Sequence, residues 1–141
     1  MGKIKAVILA GGKGTRLYPY SAVFPKPLVP VGDWPILEII VRQLKNCGVR
    51  EIFISTGHLA ELIEAYFSDG ERLGVKIHYV REDKALGTAG CLQLIPNEGD
   101  EDFLVMNGDV LTNLDFRKLY KFHKSRRADV TIATYKRHVK I

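Results

Sequence analysis

The stretch from Ile4 to Ala10 is almost wholly apolar and partly β-branched, and Gly11, Gly12 and Gly14 follow it at once. A run without polar alternation suits a strand buried on both faces of a parallel sheet, and the glycines end it. The rest of the chain continues the same theme. After a long Gly- and Pro-rich loop, Pro35 opens a helix in which Ile36, Leu37, Ile40, Val41, Leu44 and Cys47 recur at helical spacing, and Gly48 closes it. Glu51 to Thr56 predicts a second strand. Leu59, Leu62, Ile63, Tyr66 and Phe67 predict a second amphipathic helix ended near Gly70, and Val75 to Val80 alternates as a third strand. A short helix is expected from about Thr88 and a buried strand over Phe103 to Met106. Asp115 then caps a helix carrying Phe116, Leu119 and Tyr120, and a fifth strand is expected over Val130 to Tyr135.

Strands alternating with helices at this spacing call for right-handed crossovers, and so for an α/β fold: a doubly wound, Rossmann-like, mostly parallel sheet with helices on both faces. With 141 residues, 46% of them hydrophobic, the chain suits a single domain and leaves no room for a second. If the strand order is 3-2-1-4-5, the loops leaving strands one and four are neighbours at the topological switch point, where open sheets of this kind bind ligands.

The same sequence argues against several function classes. No apolar run approaches the roughly 20 residues needed to cross a bilayer, so no membrane segment is expected. Residues 1–5 lead into the first strand without the features of a secretory signal, and a cytoplasmic location is the expectation. Cys47 and Cys91 form no Cys-x-x-Cys unit and sit among apolar neighbours, as core thiols do. The net charge of +5 is concentrated at the end of the chain, where Lys121, Lys124, Arg126, Arg127, Lys136, Arg137 and Lys140 face only Asp129. A basic tail of this kind is ordinarily a solvated face, and no aromatic-interleaved binding stripe accompanies it, so nucleic acid is not the expected partner. The four histidines are dispersed without metal-ligand spacing, and no serine or cysteine occupies a nucleophile elbow.

The chemistry-bearing residues begin at the first strand's exit. Leu9-Ala10-Gly11-Gly12-Lys13-Gly14-Thr15-Arg16-Leu17 lets backbone N–H groups approach an anion without side-chain obstruction, which makes it a candidate phosphate cradle. A Walker A loop is excluded because Gly-Lys-Ser/Thr does not follow at the required spacing, and a dinucleotide fingerprint fails at Leu17. A turn serving only chain reversal is the plain alternative. Arg16 and Lys26 add cations on the same loop, and Pro25, Pro27 and Pro30 stiffen the segment that presents Lys26. Asn107-Gly108-Asp109 ends an apolar strand with a carboxylate at the ligand-binding edge. A hard oxygen there suits Mg²⁺ shared with substrate phosphates, although an Asp after a strand also serves as a turn residue.

The segment Leu9 to Leu17, followed by Pro25-Lys26-Pro27-Leu28-Val29-Pro30-Val31, closely resembles the signature of the nucleoside-diphosphate-sugar pyrophosphorylases, a family of sugar-phosphate nucleotidyltransferases. Leu86-Gly87-Thr88-Ala89-Gly90 resembles that family's base-contacting segment, and Asn107-Gly108-Asp109-Val110 its metal-binding turn. The stretches from Pro35 to Leu44 and from Leu59 to Phe67 most resemble members acting on mannose 1-phosphate or glucose 1-phosphate. The resemblance implies that a nucleoside triphosphate and a sugar 1-phosphate are the partners. Leu9, Ala10, Gly11, Gly12, Gly14 and Thr15 would hold the triphosphate, with Arg16 on the departing pyrophosphate and Lys26 near the α-phosphate and the sugar phosphate. Glu82, Gly87 and Thr88 would face the base or ribose, and Asp109 would bind Mg²⁺; an acidic residue such as Glu82 is otherwise simply solvated. Ser21 stands where family members usually carry threonine. The family's Glu-Lys-Pro segment and second metal-binding aspartate do not occur here, so the domain is expected to be C-terminally incomplete. An unfinished sheet edge would leave a template for pairing with another chain, a homo-oligomer included. A nucleotide-binding regulatory module is the competing expectation to an enzyme.

Overall fold

The computed structural model describes residues 4–82, 87, 89–96 and 101–136. Its centre is a four-stranded parallel sheet in the order β5-β4-β1-β6, built from β1 (Lys5–Leu9), β4 (Glu51–Thr56), β5 (Lys76–Arg81) and β6 (Phe103–Asn107). A two-residue antiparallel ladder, β2 (Pro30–Val31) with β3 (Trp34–Pro35), lies apart from it. The long strands therefore follow the expected order for the first four, and β1 is central because it is the most uniformly apolar. Ala6 pairs with Ile52 on one side and Leu104 on the other, and Leu9 with Ser55 and Asn107.

Successive residues of β1 point to opposite faces, and each face finds its own cover. Ala6 and Ile8 join a large core with Leu37, Ile40, Val41 and Leu44 of α1 (Ile36–Asn46), Ile63 and Phe67 of α2 (Ala60–Phe67), and Phe116 of α3 (Phe116–Arg126). Val7 points the other way and packs with Phe53 and Ile95, against which Leu92 of the 3₁₀ segment Gly90–Leu94 is laid. The helix expected from about Thr88 is this 3₁₀ segment, and Thr88 itself lies outside the described residues. The Asp115 cap is present: its carboxylate accepts from the N–H of Arg117 at 3.0 Å and of Lys118 at 3.2 Å. Cys91 is buried and Cys47 half-buried, both as free thiols.

The fifth strand is not formed. Residues 131–136 carry no strand, and Val130, Ile132 and Tyr135 are 75%, 77% and 83% exposed. β-branched residues favour a strand when they fit a pleated, half-covered surface. No such layer lies beside this segment among the described residues, and β6 pairs only with β1. No helix among the described residues is long and apolar enough to cross a membrane.

Candidate functional site

The site is built where β1, β4 and β6 end. β1 hands over to the glycine loop through Ala10, whose N–H donates to the carbonyl of Ser55 at 2.9 Å, and the N–H of Gly108 returns from beyond β6 to the carbonyl of Leu9 at the same distance. These two bonds fix the loop between its neighbours. Gly14 then takes a left-handed φ of 60° and opens the 3₁₀ turn Thr15–Leu17, a conformation that a residue with a Cβ adopts only under strain. Gly12 has open space where a side chain would lie.

Loops from β1, β4, β5 and β6 enclose a cleft of about 870 Å³ at the carboxyl edge of the sheet. Its wall includes Leu9, Ala10, Gly11, Gly12, Gly14, Thr15, Arg16, Lys26, Glu82, Gly87 and Asp109. Every described residue to which the sequence assigns a site role thus lines one cleft, while Leu86 and Thr88 of the expected base-contacting segment lie outside the described residues. A shallower groove of about 520 Å³, with Arg50, Asp69, Lys76 and His78 on its wall, lies at the opposite, amino edge of β4 and β5 and contains none of them.

Two acidic groups face the cleft in different ways. Glu82 continues the main-chain ladder past β5, its N–H donating to the carbonyl of Thr56 at 3.1 Å, and its carboxylate accepts a 2.5 Å hydrogen bond from the buried hydroxyl of Ser55. Asp109 meets the ammonium of Lys26 through Oδ2. Lys26 comes from the 3₁₀ turn Lys26–Leu28, where buried Pro27 and Leu28 anchor the main chain and leave the lysine side chain directed at the cleft. No cluster of three or more metal-ligating side chains exists among the described residues. Asp109 is a single hard oxygen donor that already holds a cationic group, and this fits a Mg²⁺ ion completed by substrate phosphates and water rather than a cage made by protein alone.

Sequence reasoning missed the contribution of the β4 exit. Ser55, Gly57 and His58 all line the cleft. A Cβ on Gly57 would lie 2.9 Å from the carbonyl oxygen of Gly11, so only glycine lets the two strand exits approach this closely. His58 Nε2 is 2.9 Å from the carbonyl oxygen of Ser21, tying the β4 exit to the long loop, and a Cβ on Gly14 would sit 3.4 Å from that of Ser21. The available signal was Thr56-Gly57-His58, a second glycine directly after a strand that the predicted order sets beside the first.

Residues 5–140 match the family model described as nucleotidyl transferase. Among curated relatives, a UTP–glucose-1-phosphate uridylyltransferase of Synechocystis sp. is 41% identical over 93% of this chain and 37% of its own length. A mannose-1-phosphate guanylyltransferase of Mycobacterium tuberculosis is 39% identical over 92% of this chain and 36% of its own. HddC from Yersinia pseudotuberculosis, solved with GMP-PN, superposes with a TM-score of 0.72 at 32% identity and covers 84% of this chain and 53% of that structure. The chain thus spans little more than a third of these curated relatives and about half of the solved one.

Proposed function

The chain belongs to the nucleotidyl transferase family, and from that footing we propose that it forms the nucleotide-binding part of an enzyme transferring a nucleoside monophosphate from a nucleoside triphosphate to a sugar 1-phosphate, with release of pyrophosphate. The sugar is a hexose such as mannose or glucose, in keeping with the relatives' substrates. The observation that carries the reading is the gathering of the glycine loop, both loop cations and the Asp109 carboxylate in one cleft at the switch point of the sheet.

In the reaction a phosphate oxygen of the sugar 1-phosphate forms a bond to the α-phosphorus while the bond to the leaving pyrophosphate breaks. The nucleophile is already anionic, so the protein's work is positioning and charge stabilisation. Backbone amides of Gly11, Gly12, Gly14 and Thr15, beside Leu9 and Ala10, receive the polyphosphate. Arg16 takes the charge that develops on the departing pyrophosphate, and Lys26 bridges the α-phosphate and the entering sugar phosphate. Glu82, Gly87 and Thr88 flank the base or ribose. Asp109 would hold Mg²⁺, which when bound neutralises phosphate charge. A cytoplasmic location, alongside the nucleotide and sugar-phosphate pools, goes with this reading.

Mixing the chain with Mg²⁺, each of the common nucleoside triphosphates and a panel of sugar 1-phosphates, then measuring pyrophosphate, tests the proposal and reads the base and sugar directly. The competing reading is a noncatalytic nucleotide-binding module, which would use the same glycine loop and loop cations to hold a triphosphate without transferring it. Saturable triphosphate binding without pyrophosphate release, persisting when the chain is extended to the relatives' length, assigns that role instead.

A further inference from the structure

Lys26 and Asp109 carry opposite assignments in the reading above, the first toward phosphate and the second toward a divalent cation, yet in this structure they hold each other. Neither group serves its ligand fully while it neutralises the other. Their main chains are fixed independently: Pro27 and Leu28 are buried next to Lys26, and the Gly108 N–H beside Asp109 is bonded to the carbonyl of Leu9. The contact is therefore made by two side chains reaching across a cleft whose walls do not depend on it. With the Lys26 side chain 42% and the Asp109 side chain 30% exposed, the pair falls in the class of partly solvated ion pairs, strong enough to be populated and weak enough for a polyanion to open.

We propose that Lys26 and Asp109 form a latch that polyphosphate opens, so that Asp109 is released to a divalent cation as the triphosphate takes Lys26. The proposal rests on the reading of the cleft as a triphosphate site. It makes phosphate and cation binding mutually reinforcing beyond the attraction between the two ligands themselves, because each removes the partner that blocks the other. Such coupling is reciprocal by thermodynamic necessity, so it is detectable from either side.

The latch gives Asp109 a signature that a plain metal ligand lacks. With EDTA present, calorimetry with inorganic tripolyphosphate as a base-independent probe of the 141-residue chain should show Asp109→Asn binding about fivefold more tightly than the native protein, because Lys26 is set free. Relief of simple charge repulsion also favours the anion, and the double variant separates the two effects. In a Lys26→Met background the gain from Asp109→Asn should fall at least about threefold. From the other side, Mn²⁺ without phosphate should bind Lys26→Met about fivefold more tightly than the native chain. Asp109→Ala and Lys26→Gln, with circular dichroism as the check on folding, repeat each arm should a first variant unfold. An equal gain in both backgrounds, or Mn²⁺ affinity unmoved by removal of Lys26, overturns the latch and leaves the triphosphate site standing. Absence of tripolyphosphate binding by the folded native chain and every folded variant overturns the cleft assignment itself, and the latch with it.

Discussion

Glu38 and Asp109 are both carboxylates held by cations, but they are satisfied to very different degrees. Glu38 lies on α1 with its side chain 1% exposed, and it accepts from Arg42 through Nε at 2.9 Å and Nη2 at 2.6 Å, from the hydroxyl of Tyr66 at 2.7 Å and from Arg72 at 3.1 Å. Arg42 in turn stacks over Trp34, and Arg72 over Tyr66. Asp109 has Lys26, stands 30% exposed and faces a cleft. A buried charge must have its acceptor sites filled to be tolerated, so the Glu38 cluster is closed to further ligands. The Asp109 pair keeps acceptor capacity turned toward the cleft. Saturation suits Glu38 to organising the fold, and incompleteness is what the role proposed for Asp109 requires.

The comparison breaks first at Lys26. In a chain extended to the relatives' full length, Lys26→Ala should lower turnover by about 2 to 4 kcal/mol of transition-state stabilisation, roughly thirtyfold to a thousandfold. The thermal midpoint should barely move, since a half-exposed pair contributes only about 0 to 1 kcal/mol to folding. Steady-state pyrophosphate release and calorimetric melting measure the two sides. Unchanged turnover would remove Lys26 from the reaction.

Glu38→Ala should invert that pattern. Four hydrogen bonds to a buried carboxylate are lost, while Arg42 and Arg72, 40% and 55% exposed, can return to water, so a loss of about 2 kcal/mol in folding stability is expected. Triphosphate affinity should stay as in the native chain. Urea unfolding read beside triphosphate titration checks both, and a change in affinity larger than the change in stability would undo the division between the clusters.

How each cluster is written in the sequence differs as well. Glu38 and Arg42 stand four residues apart on a helix that the apolar spacing of Leu37, Ile40, Val41 and Leu44 announces, whereas Tyr66 and Arg72 join them only through tertiary packing. The cleft was more legible because its parts lie at strand ends, and strand order follows from short crossovers. The apolar runs foretold β1, β4, β5 and β6, and Asp115 foretold the start of α3. Val130 to Tyr135 misled, because β-branched content states what a strand would prefer to bury, not that a surface exists to receive it. Ser55, Gly57 and His58 escaped notice because their importance arises from what crosses to them from β1, β5 and the long loop. Gly57 offers the sharpest check: Gly57→Ala sets a Cβ 2.9 Å from the Gly11 carbonyl oxygen and should cost about 1 to 2 kcal/mol as the glycine loop shifts. Triphosphate affinity should fall with it, unlike in Glu38→Ala.

The smallest effect is a dependence on pH. Burial pushes the Glu38 carboxyl upward, but the hydrogen bonds from Tyr66, Arg42 and Arg72, with the charge of Arg72, outweigh it and hold the group below its ordinary 4.5. Below that value the unfolded chain takes up this proton more readily than the folded one. The contribution of Glu38 is therefore complete above about pH 4.5 and is lost as pH falls through the lowered folded-state value. Glu64, held down by its hydrogen bond from Arg81, and Asp102, held down by that from Lys124, add to the same acid limb. Unfolding free energy measured from neutral pH down to about pH 3 should decline more gently in Glu38→Gln than in the native protein, by less than the full loss on deleting the side chain. An acid limb of identical slope in the two proteins would mean that Glu38 is not held ionised by its donors, and the contrast with Asp109 would then rest on exposure alone.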